Sequence, residues 1–145
     1  MKRSMFVSLA IVAGFACHTD LSAPSSAAGL TLTLAVARTE LARGEPDTIT
    51  MTLTNTNSYA VSLSGGACEP SPYIVDAGGA TVVPAGGGWV CIDILRRLNL
   101  AAGERYARTF VWQTGPFDAG VYSAYATFTA HETRLATRPV SVRLN

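Results

Sequence analysis

Residues 48–57, T-I-T-M-T-L-T-N-T-N, settle the fold class. Ile49, Met51 and Leu53 point one way and Thr48, Thr50, Thr52 and Thr54 the other, because successive side chains alternate across a strand. A helix would scatter those apolar residues around its circumference, and repeated threonines would cost it χ1 freedom. The stretch is a strand with one dry face and one wet face, ended by an Asn-rich turn. Its dry face needs a second apolar surface.

The rest of the chain offers short strands for that purpose. Residues 30–36 (L-T-L-T-L-A-V) place Leu30, Leu32, Leu34 and Val36 on one face, and 38–47 make a turn around Gly44 and Pro46. After the Asn55–Ser58 turn come candidate strands at 60–63, 73–76 and 81–83, the last two joined across Ala77-Gly78-Gly79. Pro84 and Gly86-Gly87-Gly88 interrupt the pattern before a further strand at 89–95, and 96–102 reads as ambiguous, with room for a helical turn. Strands at 105–113, 121–130 and 138–144 complete the set.

Regular turns without helical spacers exclude βαβ units. They point to an all-β, immunoglobulin-like antiparallel β-sandwich of about eight or nine strands. Leu32, Leu34, Phe110, Trp112, Tyr122 and Phe128 are expected to cover the Ile49-Met51-Leu53 face, each contributing roughly 1.5–3 kcal/mol when buried. Pro139 suits an edge position, since proline cannot donate to a ladder. Arg134, Arg138 and Arg143 alternate with apolar residues and read as a wet face on an edge strand.

Composition limits the function classes. The chain has 145 residues, 48% hydrophobic and 14% charged, enough for one domain with a substantial core. Lys2 and Arg3 precede an apolar run from Met5 to Phe15, which is too short to span a bilayer and suits an export signal. Cys17 follows Ala16 directly, as in a bacterial lipoprotein signal whose cysteine is acylated. The alternative is ordinary secretion with cleavage after Ala28, where Ser26 and Ala28 have small-x-small spacing. Residues 1–16 are thus read as a lipoprotein-type signal peptide, 17–29 as a flexible linker and 30–145 as the domain. Either route takes the protein out of the cytoplasm, to a membrane anchor in the first case and to a secreted or periplasmic state in the second. Without Lys2 and Arg3 the chain carries nine arginines against ten acidic residues. No basic patch interleaved with aromatics argues for nucleic acid.

Cys68 and Cys91 remain once Cys17 is set aside. An exported chain favours their pairing, and closing that Gly- and Pro-rich segment stabilises by roughly 3–4 kcal/mol in the chain-entropy model. Two thiols without neighbouring histidines do not fill a zinc site, so no metal and no cofactor is expected. His131 beside Glu132, with Asp118 elsewhere, lacks a nucleophile in a strained turn, and no G-x-S-x-G occurs. The chain is therefore read as non-catalytic. Trp89 and Trp112 read as core residues rather than sugar platforms, and Tyr122 as a corner tyrosine whose hydroxyl bonds nearby backbone. His18 reads as a solvated linker residue. Glu69, Pro70, Ser71 and Pro72, held between Cys68 and Tyr73, form a stiff candidate binding loop that would lose little entropy on contact.

From Leu30 to Leu144 the order of motifs resembles the intracellular proteinase inhibitor (BsuPI) domain, an immunoglobulin-like sandwich. The matching pieces are Gly44-Glu45 before the Thr-rich strand, Asn55 through Leu63, and Tyr73-Ile74-Val75-Asp76 with Gly79. They continue with Gly103-Glu104 leading to Trp112, and with Gly120-Val121-Tyr122. The chain departs from that pattern in its export signal, its central cysteine pair and Ala102 in place of the usual proline. The resemblance implies a protease inhibitor. The residues themselves favour an envelope-tethered module that binds a protein partner. If Cys17 is the anchor, Cys17→Ser moves the protein out of the membrane fraction; identical fractionation of mutant and wild type would favour cleavage near Ala28.

Overall fold

The computed structural model describes residues 20–21, 24–91, 95–130 and 133–145. Cys17, His18, His131 and Glu132, singled out above, lie outside them. The described residues contain thirteen strands and no helix. In chain order these are β1 (Asp20–Leu21), β2 (Ser25–Ala27), β3 (Leu30–Val36), β4 (Glu40–Leu41), β5 (Asp47–Asn55), β6 (Val61–Gly66) and β7 (Ser71–Val75). They continue as β8 (Thr81–Val83), β9 (Leu95–Leu100), β10 (Arg105–Trp112), β11 (Gly120–Ala130), β12 (Thr133–Ala136) and β13 (Val140–Leu144).

Two sheets face each other in a β-sandwich. The first has the order β1-β3-β5-β10, with β2 also paired to β3. The second has the order β4-β13-β11-β6-β9, with β12 and β7 on β11 and β8 on β7. All pairings are antiparallel except the two-residue contact of β4 with β13. The count exceeds the expected eight or nine because strands of two to four residues escape a periodicity reading.

β5 is central in its sheet, and its dry face is complete: Ile49, Met51 and Leu53 are fully buried. The facing layer is Ile74 from β7, Ala124, Ala126 and Phe128 from β11, and Val142 and Leu144 from β13. Leu32, Leu34, Phe110 and Trp112 do not cover β5 from across the core as expected. They belong to β3 and β10, the strands that flank β5 in the same sheet. Tyr122 and Phe128 do come from the opposite sheet.

Three local expectations are corrected. Residues 89–91 are not a strand; the strand begins at Leu95 and runs through the stretch read as ambiguous. Arg96 and Arg97 are tolerated there because an edge strand leaves room for long charged side chains to reach water. Residues 20–21 and 25–27, read as part of a tether, pair with β3. Arg143 lies on a strand flanked by β11 and β4, while Arg134 lies on β12, so the arginines do not share one edge.

Asn55 holds one end of the sandwich together. Its fully buried carboxamide donates to the carbonyls of Tyr59, Leu100 and Ala101. Its Oδ1 accepts from the backbone and side-chain nitrogens of Asn57. The backbone carbonyl of Asn55 accepts from Gly103, whose φ of 73° suits glycine. One side chain thus fixes both the turn after β5 and the β9–β10 corner. Removing it strands buried carbonyls, each costing roughly 1–3 kcal/mol. Asn55→Ala is expected to lower unfolding stability in urea by at least about 2 kcal/mol; a loss below about half that would contradict the role given to Asn55.

Candidate functional site

β10 is an edge. Among the described residues it pairs only with β5. The amide of Ala37 bonds the Thr48 carbonyl on the β3 side of β5, and the amide of Asn55 bonds the Glu104 carbonyl on the β10 side. Antiparallel ladders alternate in this way. The even residues of β10 therefore bond β5, and the N–H and C=O groups of Arg105, Ala107, Thr109 and Val111 point away from it. The side chains of these four are exposed, Val111 by 50%.

The inner face of β10 is only partly covered. Tyr106, Arg108 and Phe110 are half-buried, whereas Trp112 is fully buried. The two sheets leave a seam here, with β10 on one side and β6, β9 and the Cys68 segment on the other. Two adjoining hollows lie along it. One is lined by Leu63, Glu69, Arg96, Leu98 and Tyr106, the other by Cys68, Pro72, Trp89, Arg108 and Phe110. The Arg96 guanidinium sits 5.3 Å from the Tyr106 ring centre and donates to its hydroxyl at 2.9 Å. Arg108 reaches across to the Ala67 carbonyl at 3.4 Å. Trp89 stands edge-on to Phe110 and donates its ring N–H to the Pro72 carbonyl.

Cys68 and Cys91 form a disulfide, with Cα atoms 5.8 Å apart. The bond is compatible with an exported, non-cytoplasmic protein. It ties the Trp89 segment to the start of β7, so the seam's aromatic wall is held covalently. Among the described residues no helix is long and apolar enough to cross a membrane, and no group of metal-binding side chains occurs.

The candidate loop 69–72 is not an exposed projection. Pro70, Ser71 and Pro72 are buried, Ser71 and Pro72 belong to β7, and the Ser71 hydroxyl bonds the Cys68 carbonyl. The prolines that suggested a stiff surface loop instead fill space beside the core. Of the four, Glu69 lines one hollow of the seam and Pro72 the other. Burial pushes the Glu69 carboxyl above the usual range, opposed by the Thr129 backbone and by Arg108. Its Oε2 is buried without a hydrogen-bond partner.

Trp112 and Tyr122 lie together at the other end of the core. Trp112 contacts Phe117 and Tyr122 edge-on or tilted, and the Tyr122 hydroxyl donates to the Asp118 carbonyl at 2.9 Å. Asp118 itself is exposed and pairs with Arg43 at 3.5 Å. The seam residues Arg96, Tyr106 and Arg108 were not singled out from sequence, and Phe110 was read only as core. A signal was present: residues 105–112, R-Y-A-R-T-F-V-W, place the charged Arg108 on the same face as Tyr106, Phe110 and Trp112, as an incompletely covered strand does.

No family model and no curated protein matches the chain. Solved structures do. The C-terminal domain of Wzt superposes with a TM-score of 0.57 at 11% identity, covering 86% of this chain and 78% of that one. The two share a fold. A Pseudomonas fluorescens alkylpurine DNA glycosylase, AlkC, bound to DNA containing an abasic site analog gives 0.48 at 17% identity, over 81% of this chain. A Listeria innocua β-glucosidase in complex with isofagomine gives 0.47 at 18% identity, over 83% of this chain. The chain spans only 31% of that glycosylase and 16% of that glucosidase.

The raised Glu69 carboxyl has a definite sign in its effect on stability. The folded state holds the proton more tightly than the unfolded chain, so the benefit is full at low pH and fades as pH rises through the folded value. Glu69→Gln removes this loss. The melting temperature of Glu69→Gln relative to wild type is expected to be more favourable at about pH 7 than at about pH 4. An equal or opposite difference would show that Arg108 outweighs desolvation.

Proposed function

We propose that this protein is a non-catalytic binding module, tethered to the cell envelope through Cys17, whose partner-binding surface is the seam along β10. The open edge of β10 carries this reading: half of its backbone groups face no strand among the described residues, beside half-covered aromatics and arginines. Uncovered edges invite pairing and are usually blunted. The opposite flank of the same sheet is capped by β1 and β2. The disulfide and the Trp89–Phe110 contact pre-form the wall of the seam, which lowers the entropy lost on docking. The motif order that resembles the BsuPI domain fits a protein-binding sandwich.

A protease inhibitor is the second reading. Val90 favours it: this side chain is 99% exposed between the anchored Trp89 and the disulfide-bonded Cys91. A supported, projecting aliphatic residue is what a substrate-like contact requires.

Photo-crosslinking in intact envelopes tests the first reading, with the reactive side chain at Thr109 on β10 or at Ser141 on β13. Thr109 is expected to give one discrete protein adduct and Ser141 none; equal labelling from both positions contradicts a binding seam. A panel of secreted proteases separates the second. Inhibition that disappears in Val90→Asp would establish it and move the contact from β10 to the Trp89 segment.

A further inference from the structure

Four of the nine arginines outside the leader lie between positions 96 and 108, namely Arg96, Arg97, Arg105 and Arg108. All four lie on β9 and β10, Arg96 and Arg108 lining the seam and Arg97 and Arg105 exposed on the outer faces. Among the described residues none of them makes an ion pair, whereas Arg38 pairs with Glu45 and Arg43 with Asp118. Two acids among the described residues lie nearby. Glu69 lines the seam with Arg96 but forms no ion pair with it, and the Glu104 carboxylate is engaged by the Ala101 amide at 2.7 Å.

We propose that the seam receives an extended acidic peptide segment, which adds to β10 as a further strand. The inference rests on reading the seam as a binding surface and adds the chemistry of what it binds. Arg105, Ala107, Thr109 and Val111 direct both N–H donors and C=O acceptors outward, and an extended peptide satisfies both sets at once. Arg105 on the outer face and Arg108 on the inner face would each fork onto a carboxylate of such a strand presented on that face. Tyr106 and Phe110 leave apolar surface for the side chains in between.

The same charges disfavour a second copy of this chain as the occupant. Two β10 edges laid together would gather both copies' Arg105 side chains on one face of the joint and both Arg108 side chains on the other, and like charges on neighbouring strands are destabilising. A polyanion without backbone amides would use the arginines but not the ladder.

Three fluorescent peptides as long as β10 serve as probes: one alternates glutamate and valine, one alternates lysine and valine, and one is the acidic peptide N-methylated at alternate residues. The acidic peptide is expected to bind at least about tenfold tighter than the other two, and more weakly as salt rises. Ala107→Pro removes an outward N–H while sparing the β5 ladder, as edge strands allow. It is expected to abolish binding with its circular dichroism unchanged. Arg105→Gln/Arg108→Gln, a second variant, is expected to weaken the acidic peptide while leaving the weak lysine peptide unaffected. Undiminished binding to the N-methylated peptide, or equal competition by heparin, would overturn strand addition. Dimerisation through β10 in solution would overturn the choice of occupant. Failure of the acidic peptide alongside a discrete Thr109 crosslink would sink this proposal and leave the binding module intact.

Discussion

The period-two alternation of β5 is the constraint on which the rest of the molecule depends. One face of this strand is fully buried at Ile49, Met51 and Leu53, so its register cannot slip by one residue without turning the core outward. Its backbone serves β3 with even positions and β10 with odd ones. That division fixes which side chains of β10 face the core and which backbone groups face solvent. The core and the open edge are consequences of the same strand.

The two flanks of that sheet differ in kind. On the β3 side, β1 and β2 add short caps, and the Ser25 hydroxyl accepts a bond from Ala136 of the opposite sheet. On the β10 side there is no equivalent cap among the described residues. Nearby, a disulfide, a tryptophan and Arg96 reach from the second sheet and its loops to line a seam. Glu69, stranded in apolar surroundings opposite Arg108, sacrifices stability at neutral pH. A purely structural joint would be better served by an uncharged residue, whereas a surface that meets a partner can retain such a group.

The fold was largely legible, and the site much less so. Residues 30–36, 48–55 and 105–112 announce themselves because alternation is a local property, visible without knowing the partner strand. The Cys68–Cys91 bond was legible for a chemical reason, since two cysteines in a chain read as exported have few alternatives. Residues 95–100 were obscured by Arg96 and Arg97, whose charge hides a strand until its edge position is known. Residues 69–72 misled, because proline marks stiffness without saying whether the stiff segment projects or packs. The seam itself depends on which strands meet across the two sheets, and distant pairing leaves no period in the sequence.

If β10 is an open edge, its amides must exchange in two classes. Hydrogen–deuterium exchange resolved by residue in the free protein measures this directly. Arg105, Ala107, Thr109 and Val111 are expected to exchange at least about tenfold faster than Tyr106, Arg108 and Phe110, whose amides bond β5. Uniform protection along the strand would mean that the edge is already covered, and the binding seam would not exist as described.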